Sequence, residues 1–200
     1  MKNECEMRND AAGRKLAVFF PGIGYTCHKP LLYYTIKLAA AAGFEIRTVD
    51  YGGFETNIRG NRQKMEAAFY SALTQSEEIL KDIDWASYED ILFVSKSVGT
   101  IVAAAYLKKY QIPGRSVSYT PLTDTFTFAH AGEGIFFHGT ADPWAPDTKA
   151  IQKGCDAIGQ TLYLTEGANH SLETGDVIRD VENLKGILER VKAFLLNCRL

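Results

Sequence analysis

The segment Ile91-Leu-Phe-Val-Ser-Lys-Ser-Val-Gly-Thr100 joins a strand pattern directly to a helix pattern. Its first four residues are apolar, which is typical of a short strand buried on both faces of a parallel sheet. Residues 100–110 continue with helix-forming residues and stop before Pro113-Gly114. The small residues in between predict a sharp turn from strand to helix, with the Ser97 hydroxyl pointing out over the sheet.

The same alternation of strand and helix continues on both sides of this segment. A second continuous apolar run predicts a strand at 16–20, and further strands are predicted at 44–50, 116–119, 134–137 and 161–164. Helical spacing or helix-end signals predict helices at 30–43, 65–73, 146–158 and 177–195. Strict alternation favours the α/β class, here about six mostly parallel strands with helices on both faces of the sheet.

Length and composition indicate one globular domain. The chain has 200 residues, of which 46% are hydrophobic and 23% are charged, and no repeat or linker divides it. We expect a single domain over residues 16–200, preceded by a flexible, charged N-terminal tail over residues 1–15. The tail lacks the apolar core of a secretion signal, and no apolar run is long enough to span a bilayer, so we expect no membrane association.

Charge and cysteine usage exclude several classes of partner. Lysine plus arginine number 22 against 24 acidic residues, a net charge of -2, so nothing offsets phosphate repulsion and nucleic acid is not expected as a partner. The cysteines stand singly at 5, 27, 155 and 198, which fits neither a disulfide framework nor a zinc site. We therefore expect a reducing, cytoplasmic location and no metal or other cofactor. The sequence predicts no particular oligomeric state.

Three residues with chemical potential follow predicted strands. Ligands of such sheets bind at the carboxyl ends of the strands, and there the sequence places Ser97, then Asp142, then His170. Each residue also has a plain structural explanation. Ser97 or Ser95 would cap a helix, Asp142 would start a turn before Pro143, and His170 would be a solvated loop residue.

Taken together, Ser97, Asp142 and His170 resemble the nucleophile, acid and base of the α/β-hydrolase family, in that family's chain order. The run His-Gly-x-x-Asp-x-x-x-Pro from His138 to Pro146 is similar to the acid loop of its small esterase-like and dienelactone-hydrolase-like members. The resemblance covers residues 16–195. It implies a minimal α/β-hydrolase fold without a cap domain and without the family's first two antiparallel strands. Ser95 departs from the pattern, since many members have glycine there.

The resemblance also implies a reaction and further site residues. Ser97 would attack a small ester or related acyl substrate, with His170 as the base and Asp142 orienting its ring. Thioester, lactone and peptide substrates stay open. The backbone amides of Val98 and Ile23 would form the oxyanion hole, with Gly24 as the alternative to Ile23. We expect Tyr25 and Trp144 to line the substrate pocket, although aromatic residues at such places also serve plain packing.

Two rival functions remain open at this stage. A nucleotide-binding domain is suggested by Gly22-Ile-Gly24 after the first strand, but Cys27 stands where the third glycine is required. A hydrolase-like module that binds a small ligand without turning it over is the second rival, because fold and function are separable. A serine–lysine pair is not expected, because strand alternation predicts that Lys96 points away from the site.

Overall fold

A parallel sheet forms the centre of the computed structural model, which describes residues 13–55, 57–58 and 60–196. Over these residues the sheet has six strands. They are β1 Lys15–Phe20, β2 Phe44–Thr48, β3 Asp90–Lys96, β4 Arg115–Tyr119, β5 Gly134–Gly139 and β6 Thr161–Thr165. Most of the predicted N-terminal tail, residues 1–12, lies outside the described residues, and β1 begins at Lys15, within the predicted tail.

The strand order places the crevice of the sheet next to β1 and β3. The order is β2-β1-β3-β4-β5-β6, and every neighbouring pair is parallel. The chain therefore runs from β1 to one edge of the sheet, returns to pair β3 with β1, and then continues to the other edge. Connections leave the carboxyl ends of β1 and β3 in opposite directions, which opens a space between them where ligands of such sheets bind.

Helices cover both faces of the sheet. Their bounds are α1 Pro30–Ala41, α2 Arg62–Leu80, α3 Val98–Tyr110, α4 Thr125–Phe128, α5 Thr148–Ala157 and α6 Val177–Leu196. Side chains of β1 alternate between two cores, with Leu16, Val18 and Phe20 on the side of α2, α3 and α5. Ala17 and Phe19 lie on the opposite side, with α1 and α6. This burial on both faces explains why residues 16–20 of β1 form a continuous apolar run.

The structure adds details that hydrophobic spacing did not predict. The helix predicted around 65–73 extends over Arg62–Leu80 and is capped by Asn61, whose side chain accepts a hydrogen bond from the Lys64 amide. A single turn, α4, interrupts the segment between β4 and β5. Within the described part of the chain, no helix is both long and apolar enough to cross a membrane.

Candidate active site

Ser97 occupies a sharp and conformationally unusual turn between β3 and α3. Its backbone has φ 58° and ψ -127°, a combination that residues other than glycine rarely adopt. The amide donates to the Tyr119 carbonyl at 3.0 Å, and the Ser97 carbonyl accepts from the Thr100 amide at 2.9 Å. The Ser97 side chain makes no capping bond to α3. Its hydroxyl is therefore available for other partners, and the helix-cap explanation does not hold.

Two glycines allow the turn to sit against β1. A methyl group on Gly99 would lie 2.2 Å from the Phe20 carbonyl oxygen, and one on Gly22 would lie 3.1 Å from the Ser97 β-carbon. The first distance is too short for any real contact. Ser95, where many α/β hydrolases have glycine, is accommodated because its hydroxyl lies 3.3 Å from that of Ser118 inside the protein.

Asp142 is held rigidly in the turn after β5. The residue is 1% exposed, and its amide donates to the Gly139 carbonyl at 3.1 Å. One carboxylate oxygen, Oδ1, accepts the Trp144 amide at 2.8 Å. The other, Oδ2, lies 2.7 Å from His170 Nδ1. Asp142 therefore does start a turn before proline, and the same carboxylate also contacts the imidazole.

His170 connects the other two side chains. Its Nε2 lies 2.7 Å from Ser97 Oγ, while its Nδ1 faces Asp142. With the ring proton on Nδ1, the imidazole donates to the carboxylate and accepts from the serine hydroxyl. The His170 side chain is 17% exposed, so it is not simply solvated. The loop is seated by the Ala141 amide, which donates to the Ala168 carbonyl at 3.0 Å.

The surroundings keep Asp142 charged. Burial by itself raises the pKa of this carboxyl, but hydrogen bonding and attraction from His170, together with the Trp144 amide, outweigh burial and lower the pKa below its usual value. A second histidine, His138, is fully buried with its Nδ1 3.9 Å from Asp142 Oδ2. Burial lowers the pKa of His138 in spite of the attraction of Asp142. The carboxylate thus faces one partly exposed imidazole and one buried imidazole.

The residues whose amides are predicted to form an oxyanion hole line the same cleft as Ser97. Val98 is the first residue of α3, and the first amides of a helix have no carbonyl acceptor within it. Ile23 and Gly24 form the tip of a turn closed by hydrogen bonds between Gly22 and Tyr25. Gly24 has φ 73°, as a type II turn requires. Ile23, Gly24 and Val98 all line the cleft, so the choice between Ile23 and Gly24 stays open.

Ser97 and His170 open into a cleft of about 1410 Å³. Tyr25 and Trp144, the two aromatic residues predicted for its wall, both line it. Trp144 also stacks on the His170 ring, with centroids 5.6 Å apart, and the Tyr25 hydroxyl accepts the Leu31 amide at 3.1 Å. Their contact with a substrate stays a prediction. Other lining residues come from the segment before α2, from α2 itself and from the α4 region. The apolar ones include Phe54, Ile58, Met65, Phe69, Leu122 and Phe128.

The prediction that Lys96 points away from the site is wrong. As strand alternation requires, Lys96 shares the face of β3 that carries Leu92 and Val94. However, the β1 loop and the His170 loop fold over that face. Lys96 Nζ consequently donates to the His170 carbonyl oxygen at 2.7 Å and lies 4.8 Å from the centre of the Tyr25 ring. One feature of the sequence could have indicated this contact, namely that a lysine stands at the end of a mostly apolar strand.

His138 is a second residue that the sequence did not single out as part of the site. It stands four positions before Asp142 in the acid loop, and the fold turns it inward beneath the carboxylate. Its Nε2 lies 3.4 Å from Thr148 Oγ1. Across the described ranges of the chain, no three His, Cys, Asp or Glu side chains are grouped in a way that would hold a metal ion.

Comparison with known proteins gives no sequence relative but many structural ones. No protein-family model matches the sequence, and no curated protein matches it. An α/β serine hydrolase without a lid from Xanthomonas campestris superimposes with a TM-score of 0.63 at 14% identity, covering 96% of this chain and 87% of that one. A serine hydrolase homologue from Coxiella burnetii also gives 0.63 at 14% identity, with 88% and 84% covered.

A third structural neighbour is Est1E from Butyrivibrio proteoclasticus, with a TM-score of 0.62 at 12% identity and coverage of 92% and 90%. Such low identities speak for the fold and not for the reaction. The strand order, the helices on both faces and the shared architecture lead to one conclusion. The described part of this chain has the compact α/β-hydrolase fold, without a cap domain.

Proposed function

We propose that the protein is a serine hydrolase that cleaves small esters or related acyl compounds through an acyl-enzyme. The observation that carries this proposal is the continuous hydrogen-bonded line from Ser97 Oγ through His170 to Asp142, with 2.7 Å at each step. A serine hydroxyl is a weak nucleophile until a base takes its proton, and the base needs a fixed orientation. The line supplies both the base and its orientation.

In the acylation step, Ser97 Oγ attacks the carbonyl carbon of the substrate while its proton passes to His170 Nε2. The imidazolium then stands against the Asp142 carboxylate, whose lowered pKa keeps it ionised at neutral pH. Collapse of the tetrahedral intermediate breaks the bond to the leaving oxygen. That oxygen takes the proton from Nε2, the alcohol departs, and the acyl group stays on Ser97.

Deacylation repeats these steps with water. His170 Nε2 takes a proton from a water molecule, whose oxygen attacks the acyl carbon. The second tetrahedral intermediate then breaks its bond to Ser97 Oγ, which recovers the proton as the carboxylic acid leaves. The amides of Val98 and of Ile23 or Gly24 would bind the oxyanion in both steps, and the fact that these residues line the same cleft as Ser97 supports this role.

The apolar wall of the cleft supports the proposed class of substrate. This wall suits the hydrocarbon part of an acyl group, and no cap covers the cleft among the residues that the structure describes. We therefore propose carboxylic esters as the first substrates to test, ahead of thioesters, lactones and peptides. A cytoplasmic location is part of the proposal, supported by the buried free thiols of Cys27 and Cys155.

The test combines ester hydrolysis with active-site labelling. The wild-type protein should hydrolyse p-nitrophenyl acetate or butyrate, and a fluorophosphonate should add one phosphonyl group at Ser97, located by peptide mass spectrometry. Ser97→Ala should lose labelling and lower kcat/KM by at least about 10⁴-fold, since the nucleophile is gone. Its circular-dichroism spectrum and thermal midpoint should stay close to those of the wild type.

A matched control is available two residues earlier. Ser95→Ala removes a hydroxyl that contacts Ser118 inside the protein and not the imidazole, so labelling at Ser97 should persist. A wild-type protein that binds ester analogues but is neither labelled nor active would favour the non-catalytic binding module. A Ser97→Ala variant with full activity would refute the proposed nucleophile.

A further inference from the structure

Lys96 is a buried amine that the proposed reaction does not use. The residue is 1% exposed although it immediately precedes Ser97. Among the described side chains, no carboxylate lies within salt-bridge distance of its Nζ. Burying an ammonium without a paired counter-charge is costly. A methionine would fill similar space without that cost, so the amine calls for a functional explanation.

The contacts of Lys96 reach all three segments around the nucleophile. Its backbone belongs to the end of β3, one residue before the Ser97 turn. Its stem packs beneath the β1 loop, where a methyl group on Gly22 would lie 3.3 Å from Lys96 Cδ. Its Nζ faces the Tyr25 ring at 4.8 Å and donates to the His170 carbonyl oxygen at 2.7 Å. One side chain therefore ties the turn, the proposed oxyanion loop and the histidine loop together.

The hydrogen bond to His170 does not depend on the charge of the amine. Asp142 and Glu173 attract the ammonium and Lys29 repels it, but burial dominates and lowers the pKa of Lys96 to about 7. Both the ammonium and the neutral amine carry N–H donors. The contact with the His170 carbonyl can thus persist through neutral pH, whereas an apolar side chain would leave that carbonyl without this donor.

We propose that Lys96 is a positioning residue. Its hydrogen bond holds the backbone of His170 in the place that lets Nε2 reach Ser97 Oγ. The inference rests on the proposed serine-hydrolase function. Because Lys96 directly precedes Ser97, its hydrogen bond to the His170 carbonyl oxygen fixes the distance between the nucleophile and the base. Without this hydrogen bond, that distance would depend only on how the loop after β6 packs. Lys96 does not touch the reacting atoms and acts through His170.

The test separates catalysis from folding through Lys96→Met. We expect kcat for p-nitrophenyl butyrate to fall about 10- to 100-fold, as a displacement of the base by a fraction of an ångström to 1 Å would cause. KM should stay within about threefold, and the rate of fluorophosphonate labelling should fall in parallel with kcat. The thermal midpoint should be unchanged or higher, because a buried amine gives way to an apolar side chain against Tyr25.

Lys29→Met is the matched control. Lys29 is exposed, and its Nζ faces the same Tyr25 ring at 5.5 Å, so this variant removes a neighbouring positive charge but not the bond to His170. Its kcat should stay within about twofold of the wild type. An equal loss in both variants would assign the effect to charge and overturn the positioning role.

The remaining outcomes are also decisive. If Lys96→Met folds and keeps kcat within about twofold, the inference fails while the proposed function stands. If Lys96→Met does not fold, the kcat of Lys96→Arg tests the inference instead. This variant keeps N–H donors on a long stem, so kcat near the wild-type value supports the inference and a large loss overturns it. A wild-type protein that is neither labelled nor active overturns the proposed function and this inference together.

Discussion

Substitution of Gly99 by alanine tests how the nucleophile turn is seated against β1. The new methyl carbon would lie 2.2 Å from the Phe20 carbonyl oxygen and 2.5 Å from that of Pro21. Carbon and oxygen atoms approach to roughly 3.3 Å even in favourable contacts. Both neighbours are backbone atoms at the end of a central strand, so they have little room to give. The first turn of α3 must therefore retreat by about 1 Å.

Two opposing energies set the expected loss of stability. Alanine is favoured over glycine inside a helix by about 1 kcal/mol, while overpacking of a rigid site costs roughly 1–3 kcal/mol and occasionally more. The new methyl group of Gly99→Ala would contact backbone atoms and not flexible side chains, so we take about 3 kcal/mol as the cost of overpacking. The net loss is then about 2 kcal/mol. For a chain of this size, that lowers the thermal midpoint by about 4–8 °C.

Activity should fall further than stability suggests. Val98 and Ser97 move with the first turn of α3, whereas Ile23 and Gly24 stay with β1, so the proposed oxyanion donors separate. A misplacement of about 1 Å can cost about 10²-fold in rate. Thermal unfolding followed by circular dichroism, together with kcat/KM for p-nitrophenyl butyrate and the fluorophosphonate labelling rate, measures both effects on one preparation.

Gly186→Ala is the control for this experiment. Gly186 lies in α6, and a methyl group there would meet nothing within 4 Å, so the same substitution should raise stability by about 0.5–1 kcal/mol through helix propensity. Activity should not change. If Gly99→Ala keeps its thermal midpoint within about 1 °C and its activity within about twofold, the close approach of α3 to β1 does not position Ser97 and Val98.

Two further predictions concern the residues around the carboxylate. Asp142→Asn should lower kcat/KM by about 10³- to 10⁴-fold with little change in KM, because an amide can no longer hold the His170 tautomer or stabilise its charged form; near-normal kcat would show that the carboxylate is dispensable. Because the pKa of His138 is lowered in the folded protein, its contribution to stability is present above about pH 6.5 and is lost as the pH falls toward the folded pKa. The urea midpoint of the wild-type protein should therefore decline between pH 7 and pH 5, and that of His138→Gln should decline less steeply. Equal slopes in the two proteins would exclude His138 as the cause of the decline.

Much of the fold could be read from short-range patterns. The strands β1, β3 and β5 are buried almost throughout and carry apolar runs, such as Ile91–Val94. The edge strands β2 and β6 are only partly buried and include polar residues. Helix ends were less visible, because spacing alone did not reveal that α2 starts at Arg62 behind its Asn61 cap. The single turn of α4 escaped prediction for another reason. A helix of that length has no period to detect, and Thr125 is held by a contact with Thr100 from α3.

The candidate site also combines features that local sequence patterns predicted with features that they did not. The order of Ser97, Asp142 and His170 after their strands pointed to one edge of the sheet, and the structure brings the three side chains within hydrogen-bonding distance. Their catalytic roles stay predictions until the variants are measured. Lys96 shows the limit of local reasoning. Alternation placed its side chain on the correct face, but which loops would cover that face depends on segments distant in sequence.

The amino-acid sequence alone determined the class of the fold and the chemical types at the strand ends, because periodicity, capping and turn residues act over a few positions. Tertiary structure decided the distances: how closely α3 approaches β1 at Gly99, which imidazole faces Asp142 from outside and which from inside, and where the amine of Lys96 ends. Those distances arise from packing between elements far apart along the chain, and no local pattern encodes them.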